Sequence, residues 1–350
     1  MISRPGVRYA LLAALLFGAS TPLAKGLLTD VSAPVLAGLV YLGSGIGLSV
    51  LWLLRRRALH AAEARLARRD LPWLVGAIGF GGVLAPLLLL GGLARTPASA
   101  ASLLLNLEGV FTALLAWFAF RENVDWRVAL GMGAIVAGGA LLTWEGRVAW
   151  GGLRGPLAIA AACLCWAIDN NLTQKVSASD PIQIAALKGG VAGSVNLALG
   201  LLLTGAVPSP PRAAAALVLG FFGYGLSLVY FVLALRSLGT ARTGAYFSTA
   251  PFVGAVLSII LWREPVTRPL LAAGILMTVG VWLHLRERHQ HTHTHESLTH
   301  SHAHRHDLHH QHTHGPNDPP GEPHTHVHTH EPLTHAHPHY PDTHHRHGHE

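Results

Sequence analysis

Ionisable and amide side chains interrupt several otherwise apolar stretches of the sequence. Glu108 stands within one long apolar run, with Asn106 two residues before it. An ionised group near the centre of a bilayer costs about 2.5–3.5 kcal/mol even on a lenient insertion scale, so such a group needs a cavity or a partner. A carboxylate there could titrate as a coupling group or bind the cationic part of a small molecule. The alternative is a structural hydrogen bond between helices, worth about 1 kcal/mol or less.

A second polar group occurs where Asp169, Asn170 and Asn171 follow one another in another apolar stretch. Three consecutive side chains point in three directions around a helix, so at least one or two of them must line a pathway or a helix interface. Lys188, in the next apolar stretch, is a candidate countercharge for Asp169 or Glu108, although a Lys near a helix end also extends to lipid headgroups. The predicted substrate pathway consists of Glu108, Asn106, Asp169, Asn170, Asn171 and Lys188.

The C-terminal segment offers a different chemistry, metal binding by histidine. From His289 onward it contains 23 of the 25 His residues, often at alternate positions. In an extended segment alternate residues lie on the same side, so two or more imidazoles can bind one cation. Neutral imidazole suits Zn, Ni, Co and Cu, and the spacing does not choose among them. The alternative is a low-complexity extension whose metal affinity is incidental in the cell. The candidate ligands are His291, His293, His295, His302, His304, His306, His324, His326, His328 and His330.

The elements that must position the polar residues are membrane helices. Half of the residues are apolar and only 12% are charged, which is far from the composition of a soluble globular protein. Ten apolar stretches approach the roughly 20 residues that cross a bilayer. They span residues 7–28, 33–54, 72–94, 97–120, 126–144, 155–175, 182–204, 213–235, 240–262 and 268–286. Apolar residues are almost absent from the tail and Pro is frequent, so we expect residues 287–350 to be disordered.

The basic residues between these stretches indicate how the chain is oriented. With the N-terminus inside, fifteen Lys and Arg residues fall on the cytoplasmic side and seven on the other, which fits the positive-inside rule. We therefore expect ten helices in a bacterial-type inner membrane, with both termini in the cytoplasm. The alternative for the first stretch is a secretory signal peptide, because Arg4 and Arg8 precede its apolar core.

Two apolar runs half a chain apart end in the same Arg-Glu pair. Arg121 and Glu122 are each separated by 142 positions from Arg263 and Glu264. A match at a fixed offset indicates a duplicated chain, and we assign its halves to residues 7–146 and 153–286. Since five helices are an odd number, the second half must enter the membrane from the opposite face, so the repeat is inverted. We expect the Arg-Glu pairs to support this architecture as helix caps or ion pairs.

Each half also opens with a run that ends in Lys, Phe17–Lys25 in the first half and Trp166–Lys175 in the second. Together with the paired five-helix halves and the Arg-Glu that closes the fourth helix of each half, these openings resemble the EamA family of the drug/metabolite transporter superfamily. The resemblance covers about residues 7 to 286. It implies a proton- or gradient-driven carrier, commonly an exporter of amino acids, metabolites or drugs, and it does not name the substrate.

Sequence signatures of enzymes are missing from the chain. No Walker loop, strand-placed dinucleotide fingerprint or nucleophile elbow occurs, so we expect no enzyme, and the sequence requires no cofactor. The basic residues flank helices instead of forming one continuous face, so nucleic acid is not an expected partner. The expected partners are the lipid bilayer, a small-molecule substrate and metal ions on the tail, and a homodimer is compatible with the sequence.

These observations predict an all-α membrane protein that works as a secondary-active exporter. Its cargo would be small organic metabolites, amino acids or drugs, moved by alternating access, and its cytoplasmic tail would bind metal. One alternative is a divalent transition-metal exporter for Ni, Co or Zn that the tail feeds. A second alternative is a membrane-anchored metal buffer or sensor that transports nothing.

Overall fold

The computed structural model describes an apolar helical bundle followed by four short strands. The described residues are 4–58, 66–120, 126–143, 153–285, 290–294, 298–304, 324–330 and 334–338. The α-helices of the first half are α1 (Arg4–Leu27), α2 (Ala33–Ala58), α3 (Leu71–Ala77), α4 (Ala85–Leu93), α5 (Ala98–Leu104), α6 (Leu107–Phe120) and α7 (Trp126–Thr143). Those of the second half are α8 (Arg154–Val176), α9 (Pro181–Thr204), α10 (Pro210–Leu219), α11 (Ser227–Phe247), α12 (Ala250–Trp262) and α13 (Arg268–Leu285). A 3-10 turn, Arg68–Asp70, precedes α3, and the π-helical segments π1 (Ile78–Leu84) and π2 (Gly220–Leu226) join α3 to α4 and α10 to α11.

Helical segments lie at all ten predicted spans. Within the described residues, six helices are long and apolar enough to cross a membrane, α1 and α2 among them. Large apolar side chains such as Leu202 and Ile260 are exposed on the outer surface, where lipid tails can contact them. The protein is therefore a multi-pass membrane protein with a two-repeat architecture, and the number of ten crossings stays a prediction.

The helices are interrupted at positions that the internal repeat relates. π1 and π2 are separated by the same 142 residues as the two Arg-Glu pairs. The same offset connects Asn106, in the turn between α5 and α6, with Ser248, in the turn between α11 and α12. Broken and π-helical turns change the backbone hydrogen bonding and often occur at functional sites. The two halves thus share their irregular turns as well as their helices.

Close contact between α2 and α9 joins the two halves. The backbone of Gly45 lies so near to Gly189 and Gly190 that a Cβ atom at Gly45 would overlap the other helix. Gly38 and Gly193 bring the same two helices together further along their length. Small residues permit this approach in a membrane, where apolar side chains gain little by leaving the lipid. These Gly residues therefore determine the spacing between the halves.

Contacts between helix ends define two opposite faces of the bundle. At the first face, Arg212 Nη2 lies 2.7 Å from Asp30 Oδ2, which joins the start of α10 to the loop after α1. At the second face, the backbone N–H of Leu66, before α3, donates a 3.2 Å hydrogen bond to Gln183 Oε1 at the start of α9. Loops of both halves therefore meet at each face, and α2 and α9, the second helices of the two halves, run in opposite directions between the faces.

Helix α1 is an integral part of this bundle. Ser227 Oγ of α11 donates a 2.9 Å hydrogen bond to the carbonyl oxygen of Ala13. Trp262 Nε1 of α12 donates a 3.0 Å hydrogen bond to the carbonyl oxygen of Pro22. Two helices of the second half are thus hydrogen-bonded to α1. These contacts favour the interpretation of α1 as a retained membrane helix over the alternative of a signal peptide.

Four strands lie in the His-rich tail, where we expected disorder. β1 (Gln290–Thr294) pairs with β4 (Thr334–Pro338), and β2 (Leu298–His304) pairs with β3 (His324–His330), both antiparallel. The β-branched Thr residues of these segments favour extended backbone, and ladder hydrogen bonds satisfy the main chain without an apolar core. These four segments are extended and paired, and the disorder expected for residues 287–350 as a whole stays a prediction.

Candidate functional site

A cavity lies where the break between α5 and α6 is close to the break between α11 and α12. Its walls come from helices of both halves, and its empty volume of about 350 Å³ counts open solvent and the gaps between atoms as well as the enclosed space. The polar and aromatic residues of its lining are Phe17, Glu108, Thr112, Asn170, Phe247 and Ser248. A pathway site at the junction of two related halves is the arrangement that inverted-repeat carriers use.

Glu108 is the charged residue in the described lining of this cavity. It lies in the first turn of α6, and its Oε1 accepts a 2.7 Å hydrogen bond from Asn170 Nδ2 of α8. A negative charge is favourable there because the N-terminal end of a helix carries partial positive charge. The repeat counterpart of Glu108 is Ala250, the first residue of α12. In the described lining of the cavity, only the first half therefore supplies a carboxylate that could hold a proton or a cation.

Phe17 is the centre of an aromatic cluster beside the cavity. Its ring centroid lies 5.5 Å from that of Trp166, 5.8 Å from that of Tyr224 and 5.4 Å from that of Phe247. Phe17 and Phe247 also line the cavity. Aromatic faces and edges pack against apolar groups and attract cations. The cluster gives the cavity an apolar wall in addition to its one carboxylate.

Asp169 and Lys188 form a buried ion pair between α8 and α9. Lys188 Nζ lies 2.6 Å from Asp169 Oδ1 and 2.8 Å from Asp169 Oδ2. Thr173 Oγ1 donates a further 2.9 Å hydrogen bond to the same carboxylate. Lys188 is 2% exposed and Asp169 is 6% exposed. The sequence allowed two countercharges for Lys188, Asp169 and Glu108. In the structure Lys188 pairs with Asp169, which lies outside the described lining of the cavity.

The π1 segment connects this ion pair to the aromatic cluster. The carbonyl oxygen of Gly81 accepts hydrogen bonds from Tyr41 Oη at 2.8 Å and from Trp166 Nε1 at 3.1 Å. A Cβ atom at Gly81 would overlap the carboxylate of Asp169. The irregular backbone of π1 therefore both supplies an acceptor to two aromatic side chains and leaves room for the buried carboxylate.

Asn106 and Asn171 are absent from the described lining of the cavity. Asn106 is buried in the α5–α6 turn, where its Nδ2 donates to the carbonyl oxygen of Leu103 at 3.1 Å and lies 3.7 Å from Met277 Sδ. Asn171 Nδ2 donates to the carbonyl oxygen of Ala167, one turn earlier in α8. Both amides thus support helix structure, and Glu108 and Asn170 are the predicted pathway residues that reach the cavity.

The Arg-Glu pair of the second half connects the two halves. Glu264 accepts hydrogen bonds from the backbone N–H groups of Ala98 at 2.8 Å and Ser99 at 2.9 Å, and so caps the start of α5. Arg263 ends α12 in the left-handed conformation, with a φ of 50°, and its side chain is exposed. The pair of the first half, Arg121-Glu122, lies outside the described residues.

We predict that Glu264→Ala lowers the stability of the bundle by about 1 kcal/mol, because two N–H groups at the start of α5 lose their acceptor. Glu264→Gln is the matched control, since its side-chain oxygen can still accept one of the two hydrogen bonds, and it should lose less. Thermal unfolding of the purified protein in detergent, followed by circular dichroism, measures the difference. Equal melting temperatures for the wild type and Glu264→Ala would contradict the capping role.

Among the polar and aromatic residues of the cavity lining, sequence reasoning missed Phe17, Thr112 and Ser248. Thr112 lies one helical turn after Glu108, so the helical period alone could have placed the two on one side of α6. Ser248 is the repeat counterpart of Asn106, so the offset of 142 residues could have indicated it. No comparable signal marks the position of Phe17, which depends on how α1 packs against α8 and α11.

Metal ligands do not cluster in the part of the chain whose side chains the structure describes. No group of three or more His, Cys, Asp or Glu residues there could hold a metal ion. Two predicted tail ligands, His295 and His306, lie outside the described residues. The other predicted ligands are located on tail strands, His291 and His293 on β1, His302 and His304 on β2, and His324, His326, His328 and His330 on β3.

Two related halves of apolar helices, with a partly polar cavity where both halves are interrupted, define a membrane transporter of the two-repeat class. The chain belongs to the EamA-like transporter family, whose family model matches residues 4–144 and 153–286. It is 32% identical over 289 residues to an uncharacterized transporter of Methanothermobacter thermautotrophicus, with 77% of this chain and 83% of the relative covered. A crystal structure that is 18% identical and covers 79% of this chain and 95% of its own has a similar fold, with a TM-score of 0.60. The family model and the curated relative confirm the family that the sequence motifs resemble, and the solved structure shows the same fold.

Proposed function

We propose that the protein is a secondary-active carrier of small organic molecules that works by alternating access and uses Glu108 as its coupling group. The observation that supports this most directly is the position of Glu108 in a cavity between the helix breaks of the two halves. Its partner there, Asn170, is a neutral amide that donates a hydrogen bond without neutralising a negative charge. A carboxylate in that setting is available to a proton or to a cationic cargo.

Alternating access requires contacts between the halves that can close one side of the pathway. At the first face, Trp262 of the second half donates to Pro22 of the first half, and Glu264 caps α5. Within the first half, Lys25 Nζ donates a 2.9 Å hydrogen bond to the carbonyl oxygen of Thr96 and so holds the end of α1 to the α4–α5 loop beside these contacts. These contacts involve helix ends, so they can separate while the helices stay intact. In our proposal they form the closed gate at the first face.

We propose a bacterial-type inner membrane, cytoplasmic termini and export as the direction of transport. The excess of Lys and Arg on the side of the N-terminus supports this orientation. The first face is then the outer surface of the membrane. With its gate closed, the cavity would receive cargo from the cytoplasm, as an exporter requires.

The cargo that suits the cavity best is a small organic molecule with a cationic or hydrogen-bonding group. Glu108 offers a carboxylate, Asn170 an amide and Thr112 and Ser248 hydroxyl groups, while Phe17 contributes an aromatic wall. Amines, amino acids and small amine drugs combine the matching charge, hydrogen-bonding groups and apolar surface.

Transition-metal export is a second candidate function, and the His-rich tail is the observation that favours it. Imidazole binds Zn, Ni, Co and Cu, so a tail of this composition could supply such ions to the transporter. The described lining of the cavity, however, contains neither His nor Cys. An organic cargo, with a tail that binds metal for buffering or sensing, therefore remains our first proposal.

Flux measurements in proteoliposomes test these proposals. The full chain and a chain truncated after Arg288 are compared for transport of labelled amino acids, amines, Zn²⁺ and Ni²⁺, each with and without an imposed pH gradient. We expect gradient-driven organic flux that survives truncation. Metal flux that collapses on truncation would support the metal exporter instead. If neither preparation moves any of these solutes, transport is contradicted and a metal buffer or sensor remains.

A further inference from the structure

Histidine stands opposite histidine in the register of both tail ladders. β1–β4 has two such rungs and β2–β3 has three, and the rungs between them contain other residues, as at Ser301–Val327. The histidine rungs are His291–His337, His293–His335, His300–His328, His302–His326 and His304–His324. This matching comes from segments that are distant in the sequence, so composition alone does not predict it.

The register determines which residues share a face of each ladder. Directly opposite residues of an antiparallel pair have Cβ atoms about 4.5–5.5 Å apart and belong to the same face. Positions two apart along a strand also share a face, with a spacing of about 6.8 Å. The three histidine rungs of β2–β3 therefore lie in a row on one face. Residues at this cross-strand distance can supply two imidazole ligands to one ion, whose bonds to nitrogen are about 2.0–2.1 Å long.

We propose that each histidine rung of the tail is a binding site for one transition-metal ion of the Zn²⁺ and Ni²⁺ class, held by one His from each strand. This inference rests on the proposed metal-binding tail and specifies its sites. A two-stranded ladder is marginally stable by itself, and an ion bound across each rung adds a link between the strands. Metal binding and pairing of the tail strands are then one process.

The register can be tested without changing the composition of the tail. In one variant, each of His300, His302 and His304 exchanges places with the residue before it. In a second variant, each of His324, His326 and His328 exchanges places with the residue after it. A third variant carries both sets of exchanges. It places His opposite His again, on the other face, because positions 299, 301 and 303 are the partners of positions 329, 327 and 325.

Calorimetric titration of the full-length protein in detergent with Zn²⁺ counts the tight sites of each variant. We expect each single-strand variant to lose the three sites of β2–β3, and the doubly exchanged variant to regain them. Equal binding by all four proteins would overturn the rung sites and leave a tail that binds metal through composition alone. A doubly exchanged variant that binds as poorly as the single-strand variants would also overturn them. Absence of Zn²⁺ binding in the wild type would refute the metal-binding tail itself.

Discussion

Glu108→Gln is expected to abolish gradient-driven transport while leaving the fold intact. Gln has nearly the same size and can still accept the 2.7 Å hydrogen bond from Asn170, but it can neither exchange a proton nor pair with a cation. Accumulation of cargo under an imposed pH gradient should therefore fall to the level of protein-free liposomes. Exchange of internal for external cargo requires no net movement of protons, so it should continue, but more slowly for a cationic cargo that loses its countercharge. Parallel assays of accumulation and exchange in the same proteoliposomes measure both.

Two matched variants separate coupling from a structural hydrogen bond. Asn170→Ala removes the donor and keeps the carboxylate, whereas Glu108→Asp keeps the charge and withdraws it by one methylene. If the hydrogen bond alone mattered, at about 1 kcal/mol or less, Asn170→Ala would impair accumulation, whereas Glu108→Gln, which keeps the acceptor, would not. We expect partial accumulation from Asn170→Ala and Glu108→Asp. Wild-type accumulation by Glu108→Gln would refute the coupling role, and loss of exchange together with accumulation would instead assign Glu108 to cargo binding.

The offset of 142 residues predicted more of the fold than any single motif did. It located the two related halves, and it also connects π1 with π2 and Asn106 with Ser248. Local sequence determines where a helix bends or breaks, so a duplicated sequence retains its irregular turns. The cavity lies at two of these turns. The repeat therefore already indicated the location of the cavity, without any information on how the helices pack.

The individual members of the site were harder to predict from the sequence. Glu108 and Asn106 are two residues apart, yet one lines the cavity and the other contacts Met277 of α13. The choice depends on the rotation of α6 and on the turn before it, and tertiary packing decides both. Lys188 illustrates the same limit, because only the contact between α8 and α9 selects Asp169 over Glu108 as its partner.

Lys188→Met should destabilise the bundle by about 3–5 kcal/mol, because removal of one partner leaves the other charge buried without compensation. Met matches the length of the Lys stem and fits an apolar surrounding, so lost packing contributes little. Asp169 is 6% exposed. Of its described hydrogen bonds to α8 and α9, only the 2.9 Å bond from Thr173 would remain. Denaturant or thermal unfolding of the detergent-solubilised protein measures the loss.

A double-mutant cycle determines whether this loss belongs to the ion pair. Asp169→Asn combined with Lys188→Met removes both charges, and replacement of a buried pair by neutral residues is often close to neutral. We therefore expect the double variant to be more stable than Lys188→Met alone, even though it carries one more substitution. Additive losses would show that each side chain acts through its own packing. The ion pair is connected to the aromatic cluster through Gly81 of π1. If the double variant recovers stability but not transport, the pair also maintains the shape of the pathway that transport requires.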